Sequence, residues 1–352
     1  MEVKLDEFRR AFDWVDVVDK SPALPTSRYV RMVGTGTELE LYLSGITIAM
    51  ARCQALGELH CGVREWYASR PHLGSFLGAA DGDVVTVSCD GNVLRLSCGE
   101  YSMELQQVHE TLNYYDWDGS GDVLQLPSIV VGSMAMLSRY AARSPGLEHL
   151  SAIRLTSGFG AFASDNVALV GLCSQAVDAT CTIPVELAAT IAKLKTAEVR
   201  YSQAGCGVVT DYGYLFQPRH FRLDKMPANK MADLLKRGMD VPAEVVAPVA
   251  DLHMGLRRVS KAASRGAVSL KSSGDQLTIA VAEQDVKVSY RFKLVTGGEF
   301  AVSIGLPHIL PFVNHIAELG ATTIQFAMAE NCAVARSTVN GHTYVLMVAA
   351  RA

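Results

Sequence analysis

The residues best equipped for chemistry are scattered along this 352-residue sequence, and each group lacks a member. His60 beside Cys61 supplies a base and a thiol, the two halves of an activated nucleophile. Adjacent residues on a strand face opposite ways, however, so Cys61 reads as a buried cysteine. Asp116, Asp118, Ser120 and Gly121 copy the first half of a calcium-binding loop, but Pro127 stands where the closing carboxylate belongs, so the run reads as a solvated linker and no metal site is expected. Gly34-Thr35-Gly36 runs into a strand and lacks the third glycine of a dinucleotide loop. No phosphate-cradling loop, serine nucleophile elbow or zinc-binding His pair occurs. His308 and His315, seven apart, share a helix face that reads as polar surface. An α+β hydrolase using Cys61 or a histidine is therefore weakly supported, and no enzyme activity and no cofactor are expected.

Cations are better placed. At about 100° per residue, Leu252, Leu256, Val259 and Ala263 define one side of a helix, and Arg257, Arg258, Lys261 and Arg265 fall on the other. Arg139 and Arg143 oppose Leu137 and Ala141 in the same way, and Arg10 opposes the stripe Leu5, Phe8, Phe12 and Val15 although Asp13 shares its face. One such face is ordinary solvated surface. Several equivalent ones arranged about an axis would meet phosphates. With no zinc-finger spacing, basic zipper or base-stacking aromatic strand, contact would be to the backbone and independent of sequence.

The elements that carry these residues recur. Cys53 and Cys61 sit eight apart; Cys173 and Cys181 repeat the spacing 120 positions on, and Phe292 and Phe300 repeat it 119 further. The helix stops Lys20-Ser21-Pro22, Arg143-Ser144-Pro145 and Ser264-Arg265-Gly266 fall 123 and 121 apart. Each third reads as helix, strands, helix, strands. In the first, Glu38 to Leu43 alternates, Trp66, Leu73, Phe76 and Leu77 mark a second helix, and Asp90-Gly91 turns a hairpin. The second carries helices on Met134, Leu137 and Ala141 and from Pro184 to Lys195; the third ends in a helix near Leu306 to Leu319 and strands Thr323 to Ala329 and Tyr344 to Val348. The expected domains are 1–118, 123–227 and 241–352, with 226–245 as a linker marked by Pro227, Gly238 and Pro242.

Composition is compatible with this. Apolar residues make up 49% and charged ones 19%, and no run approaches the roughly 18 apolar residues of a membrane span. The amino terminus lacks a signal-peptide pattern and the eight cysteines contain no CxxC pair, so a cytoplasmic protein with reduced, half-buried strand cysteines is expected. A net charge of −4 excludes a uniformly basic nucleic-acid binder but not a local basic face.

The threefold order, with the runs Val199-Arg200-Tyr201-Ser202, Leu223-Asp224-Lys225-Met226-Pro227 and Tyr344-Val345-Leu346-Met347, resembles the bacterial DNA polymerase III beta subunit, the replicative sliding clamp. The resemblance implies three clamp-type domains, each of two helices packed on antiparallel sheets, and a homodimer joined head to tail into a ring around duplex DNA. It implies a processivity factor that tethers the DNA polymerase and is not itself an enzyme. DNA-facing residues would be Arg10, Lys20, Arg70, Arg139, Arg143, Arg258, Lys261 and Arg265. A pocket for short apolar peptides of the polymerase and the clamp loader would be walled by Leu150, Asp165, Val167, Leu169, Pro242, Val345 and Met347. The turn Ser164-Asp165-Asn166-Val167-Ala168-Leu169 and the ending Met347-Val348-Ala349-Ala350-Arg351-Ala352 lack the family's basic and histidine side chains, which points to a divergent, phage-like or second-copy clamp. The alternative is an interaction scaffold with clamp-type domains that never encircles DNA.

Overall fold

The computed structural model describes residues 1–18, 24–57, 64–107, 112, 114, 116–195, 198–218, 225–262, 266–283 and 286–349. It is α+β, with seven α-helices among these residues: α1 (Leu5–Val15), α2 (Arg70–Ala79), α3 (Ser128–Leu137), α4 (Val185–Leu194), α5 (Ala228–Asp240), α6 (Val249–Ser260) and α7 (Leu306–Glu318). Among the described residues no helix is long and apolar enough to cross a membrane. Two compact units divide the chain, residues 1–125 with 198–219 and residues 126–197 with 220–352.

Among the described residues each unit holds one eight-stranded and one four-stranded antiparallel sheet. In the first unit the large sheet runs Arg64–Ser69, Tyr29–Thr35, Glu38–Ser44, Ile48–Gln54, Gly213–Pro218, Gly205–Thr210, Glu198–Tyr201, Asp122–Gln125. In the second it runs Cys181–Pro184, Ala152–Thr156, Gly160–Ser164, Ala168–Cys173, His342–Ala349, Cys332–Val339, Thr323–Ala329, Val245–Pro248. Each large sheet thus splices four strands of one third of the sequence to four of the next, through the registers Leu215 opposite Ala49 and Val170 opposite Leu346. The repeat read from the cysteines has its counterpart in the elements. Helices α1, α3 and α6 begin 123 and 121 residues apart, and α2, α4 and α7 begin 115 and 121 apart. α5 belongs to neither series.

The periodicities place the cores. On α1 the spaced residues Leu5, Phe8, Phe12 and Val15 are all buried, a gross stabilisation of about 6 to 12 kcal/mol at roughly 1.5 to 3 kcal/mol per side chain. On α6, Leu252, Leu256 and Val259 turn inward, and Gly255 lets Ile279 and Tyr290 approach. Asp90-Gly91 turns the strand Val84–Asp90 back onto Val93–Cys98, with Gly91 at φ +56°. The described cysteines are free and lie on strands, and burial pushes the thiols of Cys53, Cys173 and Cys181 up to about 12, which leaves them poor nucleophiles.

Four sequence readings need correction. Trp66 lies on the strand Arg64–Ser69, and α2 starts only at Arg70, with Pro71 in its first turn. α3 stops at Leu137 rather than continuing to Arg143, because the Ser138 hydroxyl bonds the Ala135 carbonyl and the backbone tightens through Arg139 to Met136 and Tyr140 to Leu137. His315 is buried, not surface. Residues 228–240 of the supposed linker form a helix, α5. His60, Cys61 and Ala263 lie outside the described residues.

Candidate nucleic-acid interface and partner pocket

Within the second unit, α3 packs beside α4 and also meets α7, which packs beside α6. The α3–α7 crossing is fixed by a buried polar relay. Ser133 Oγ lies 3.3 Å from Tyr344 Oη and 3.3 Å from His315 Nε2, and the His315 ring meets the Tyr344 ring edge-on at 5.4 Å. Burial holds His315 below its ordinary pKa, with Glu318 opposing weakly. A histidine depressed in the folded state is protonated first in the unfolded one, so its contribution is complete above about pH 6.5 and is lost as pH falls toward the folded value. Urea denaturation at pH 7.5 and 5.5 should therefore show a stability loss on acidification that shrinks in His315→Gln.

Cations gather at the ends of the equivalent helices. Arg139 and Arg143 lie exposed in the turn after α3, Arg258 is exposed in the last turn of α6 with its guanidinium 5.0 Å from the Tyr290 ring centre, and Lys261 is exposed at the α6 C-cap. Among the described residues no carboxylate lies within ion-pair distance of these four. Cations at a helix C-terminus also complement its dipole. In the first unit, Arg10 is exposed on α1 but opens onto a cavity of about 220 Å³ shared with Glu7, Glu38, Asp211 and Arg52, so its charge is partly neutralised.

Arg70 is placed differently. Its side chain is 4% exposed; Nε donates to Asp16 Oδ1 at 2.6 Å, Nη2 to the carbonyls of Asp16 and Val18 at 2.6 and 2.8 Å, and Nη1 to the Ser27 carbonyl at 3.2 Å. It seals the C-terminal end of α1 and has no face for a phosphate, which corrects its assignment as a DNA contact. Lys20 and Arg265 lie outside the described residues.

Most of the pocket residues come together on the opposite face of the second unit's large sheet. Leu169 is in register with Met347 and Gly171 with Val345, so the alternate residues Leu169, Gly171, Val345 and Met347 share one face while Tyr344 turns to the other, toward α3 and α7. Leu150, Leu169, Val345 and Met347 join one apolar cluster with Phe159, Phe162 and, from α5, Met231, Ala232 and Leu235. A groove of about 420 Å³ runs beside α5, lined by the apolar Leu234, Val241, Ala329 and Met347, by Cys332, and by the charged Arg237, Asp240 and Glu330. Pro242 is exposed just past α5, and Val167 is 50% exposed on its turn.

Asp165 does not wall the pocket. Its Oδ1 accepts the N–H groups of Val167 and Ala168 at 2.9 and 2.8 Å, and its Oδ2 lies 3.0 Å from His308 Nε2 on α7, while the Tyr140 hydroxyl donates to the His308 carbonyl. Burial pushes the Asp165 carboxyl up, but His308 and the two amides outweigh it and hold it below the usual range. In the calcium-like run, Asp116 accepts the Tyr214 hydroxyl and Asp118 accepts the Ser120 amide at 2.8 Å, so both carboxylates serve local structure. Sequence reasoning missed the partners His308 and Tyr140 and the whole of α5.

No protein-family model matches the sequence, and comparison with curated proteins finds no match. Solved structures do match, along the full length. The chain is similar to the DNA polymerase III subunit beta from Pseudomonas aeruginosa (TM-score 0.81, 14% identity, 100% of this chain and 99% of that one). It is similar to the beta subunit from Thermotoga maritima (0.78, 14%, 100% and 98%) and to the DNA polymerase sliding clamp from Bacillus subtilis (0.79, 11%, 100% and 98%). The chain therefore has the sliding-clamp fold from end to end, at identities so low that only the fold is carried.

Proposed function

We propose that this chain, built on the sliding-clamp fold throughout, is itself a divergent sliding clamp: a non-enzymatic processivity factor that encircles duplex DNA and tethers a polymerase. The observation that carries the reading is the coverage of the match, 100% of this chain and 99% of the Pseudomonas aeruginosa subunit. Three domains of about 1–118, 123–227 and 241–352 and head-to-tail pairing of two protomers complete the ring in this reading. Arg139, Arg143, Arg258 and Lys261, at equivalent helix ends and with no carboxylate within ion-pair distance among the described residues, are the cations best placed to meet phosphates; Arg10 is secondary. Such contacts read no bases, as sliding requires. The pocket around Leu169, Val345 and Met347, with the groove beside α5, receives the apolar segments of the polymerase and the loader.

The test is topological. The protein should elute as a dimer, show a hole in low-resolution images, and once loaded stay on nicked circular plasmid through gel filtration but leave when the plasmid is linearised. Equal retention on circle and line would refute encirclement and favour the scaffold.

A further inference from the structure

We propose that α5 is a built-in occupant of the partner pocket, and that a partner engages this chain by displacing it; the inference rests on the pocket assignment above. Three observations converge. First, α5 stands outside the repeat: it lies in a connector, and neither helix series that recurs along the chain includes it. Second, it lies on the pocket walls themselves. Its inward residues Met231, Ala232, Leu235 and Gly238 follow one helical stripe over Leu169, Val345 and Met347. Both surfaces are cut back to admit it: a Cβ at Gly171 would come within 2.7 Å of Leu235 Cδ1, and one at Gly238 within 2.9 Å of Met347 Sδ. Leu235 thus seats as a knob over a glycine of the sheet, the way an amphipathic helix enters a partner's groove.

Third, its attachment is separable from the sheet. No strand pairs with it, and its N-terminus, preceded by Pro227, has no side-chain cap. Among the described residues its far end is held by hydrogen bonds from Arg336, whose Nη1 donates to the carbonyls of Gly238 and Met239; Lys236 adds a contact 5.7 Å from the Phe159 ring centre. Thirteen residues are too few to remain helical once lifted off, so release would convert α5 to slack chain and bare the apolar walls. The groove beside α5, with Leu234 40% exposed on its rim, offers an incoming segment its first foothold. The segment that fits is amphipathic, with medium apolar side chains four apart for the hole at Gly171 and a terminal carbonyl or carboxylate for Arg336.

The probe is a fluorescein-labelled synthetic peptide of residues 226–242 of this chain, titrated by anisotropy into the full-length protein. The unaltered protein should bind it weakly, Met231→Ser/Leu235→Ser at least tenfold more tightly, and the same double variant carrying Met347→Glu no better than the unaltered chain. Hydrogen exchange on the unaltered protein should show the amides of 231–240 exchanging at least tenfold faster than those of 168–173 and 342–349. Equal peptide binding by the unaltered and folded double-variant proteins would overturn the proposal. So would α5 amides protected as strongly as the strands, a result that stands even where the double variant fails to fold. Retention on circular DNA is scored separately: its loss in the unaltered protein refutes the clamp reading, whereas retention together with equal peptide binding or strand-like protection of α5 refutes only the displacement.

Discussion

Arg70→Ala should destabilise the protein by about 3 kcal/mol while leaving its salt-dependent DNA affinity unchanged. Truncating one partner of a buried ion pair costs roughly 3 to 5 kcal/mol because the other groups lose their only compensation. The lower end applies here, since the Asp16 side chain is 35% exposed and water can reach it once the guanidinium is gone. The carbonyls of Asp16, Val18 and Ser27 lose their donor as well. At roughly 2 to 4 °C per kcal/mol, the unfolding midpoint should fall by about 6 to 12 °C in scanning calorimetry. Arg70→Lys should recover only part of this, because an ammonium cannot reproduce the planar fork that reaches three carbonyls and a carboxylate. A variant that keeps its midpoint but weakens DNA binding would return Arg70 to the interface.

Arg70 also shows where reading the sequence stops. Its position at the start of α2 beside Pro71 looks like exposed helix surface, and what buries it is Asp16, 54 residues away. His315 is similar: a heptad from His308 on a helix says nothing of Ser133, 182 residues away. Local periodicity, by contrast, carried through. The stripes of α1 and α6, the Asp90-Gly91 hairpin and the alternation of Glu38 to Leu43 all depend on neighbours within a turn or a strand, and they are in place. The threefold echo was legible for the same reason, as each third repeats the same local patterns. α5 was legible and misread. Pro227, Gly238 and Pro242 suggested a linker, yet the prolines flank the helix and Gly238 faces the sheet, while Met231, Ala232 and Leu235 mark an apolar stripe. Resemblance grouped Leu169, Val345 and Met347, and the fold packs them into one apolar cluster, but Asp165 could not be assigned to His308 without the fold.

The second large effect concerns the cations at the helix ends. Replacing Arg139, Arg143, Arg258 and Lys261 with Glu should flatten the salt dependence of duplex binding. Each neutralised phosphate contributes about 0.9 to the slope of log affinity against log salt, so removing four contacts on each protomer of the two-protomer ring lowers the slope by about 7.2. Between 50 and 200 mM salt, that amounts to a difference of about ten-thousandfold in how far affinity falls. Reversal also moves the formal net charge from −4 to −12, since four charges change by two units each, and a global effect must be separated from a local one. A control with Lys230, Arg237, Lys271 and Lys287 changed to Glu carries the same total charge at other exposed positions. Long-range repulsion acts on both variants alike and is screened within a Debye length, whereas phosphate contacts are lost only where they existed. The interface reading requires the first variant to lose the steep slope and the control to keep it; equal slopes in the two would place the DNA-facing surface elsewhere.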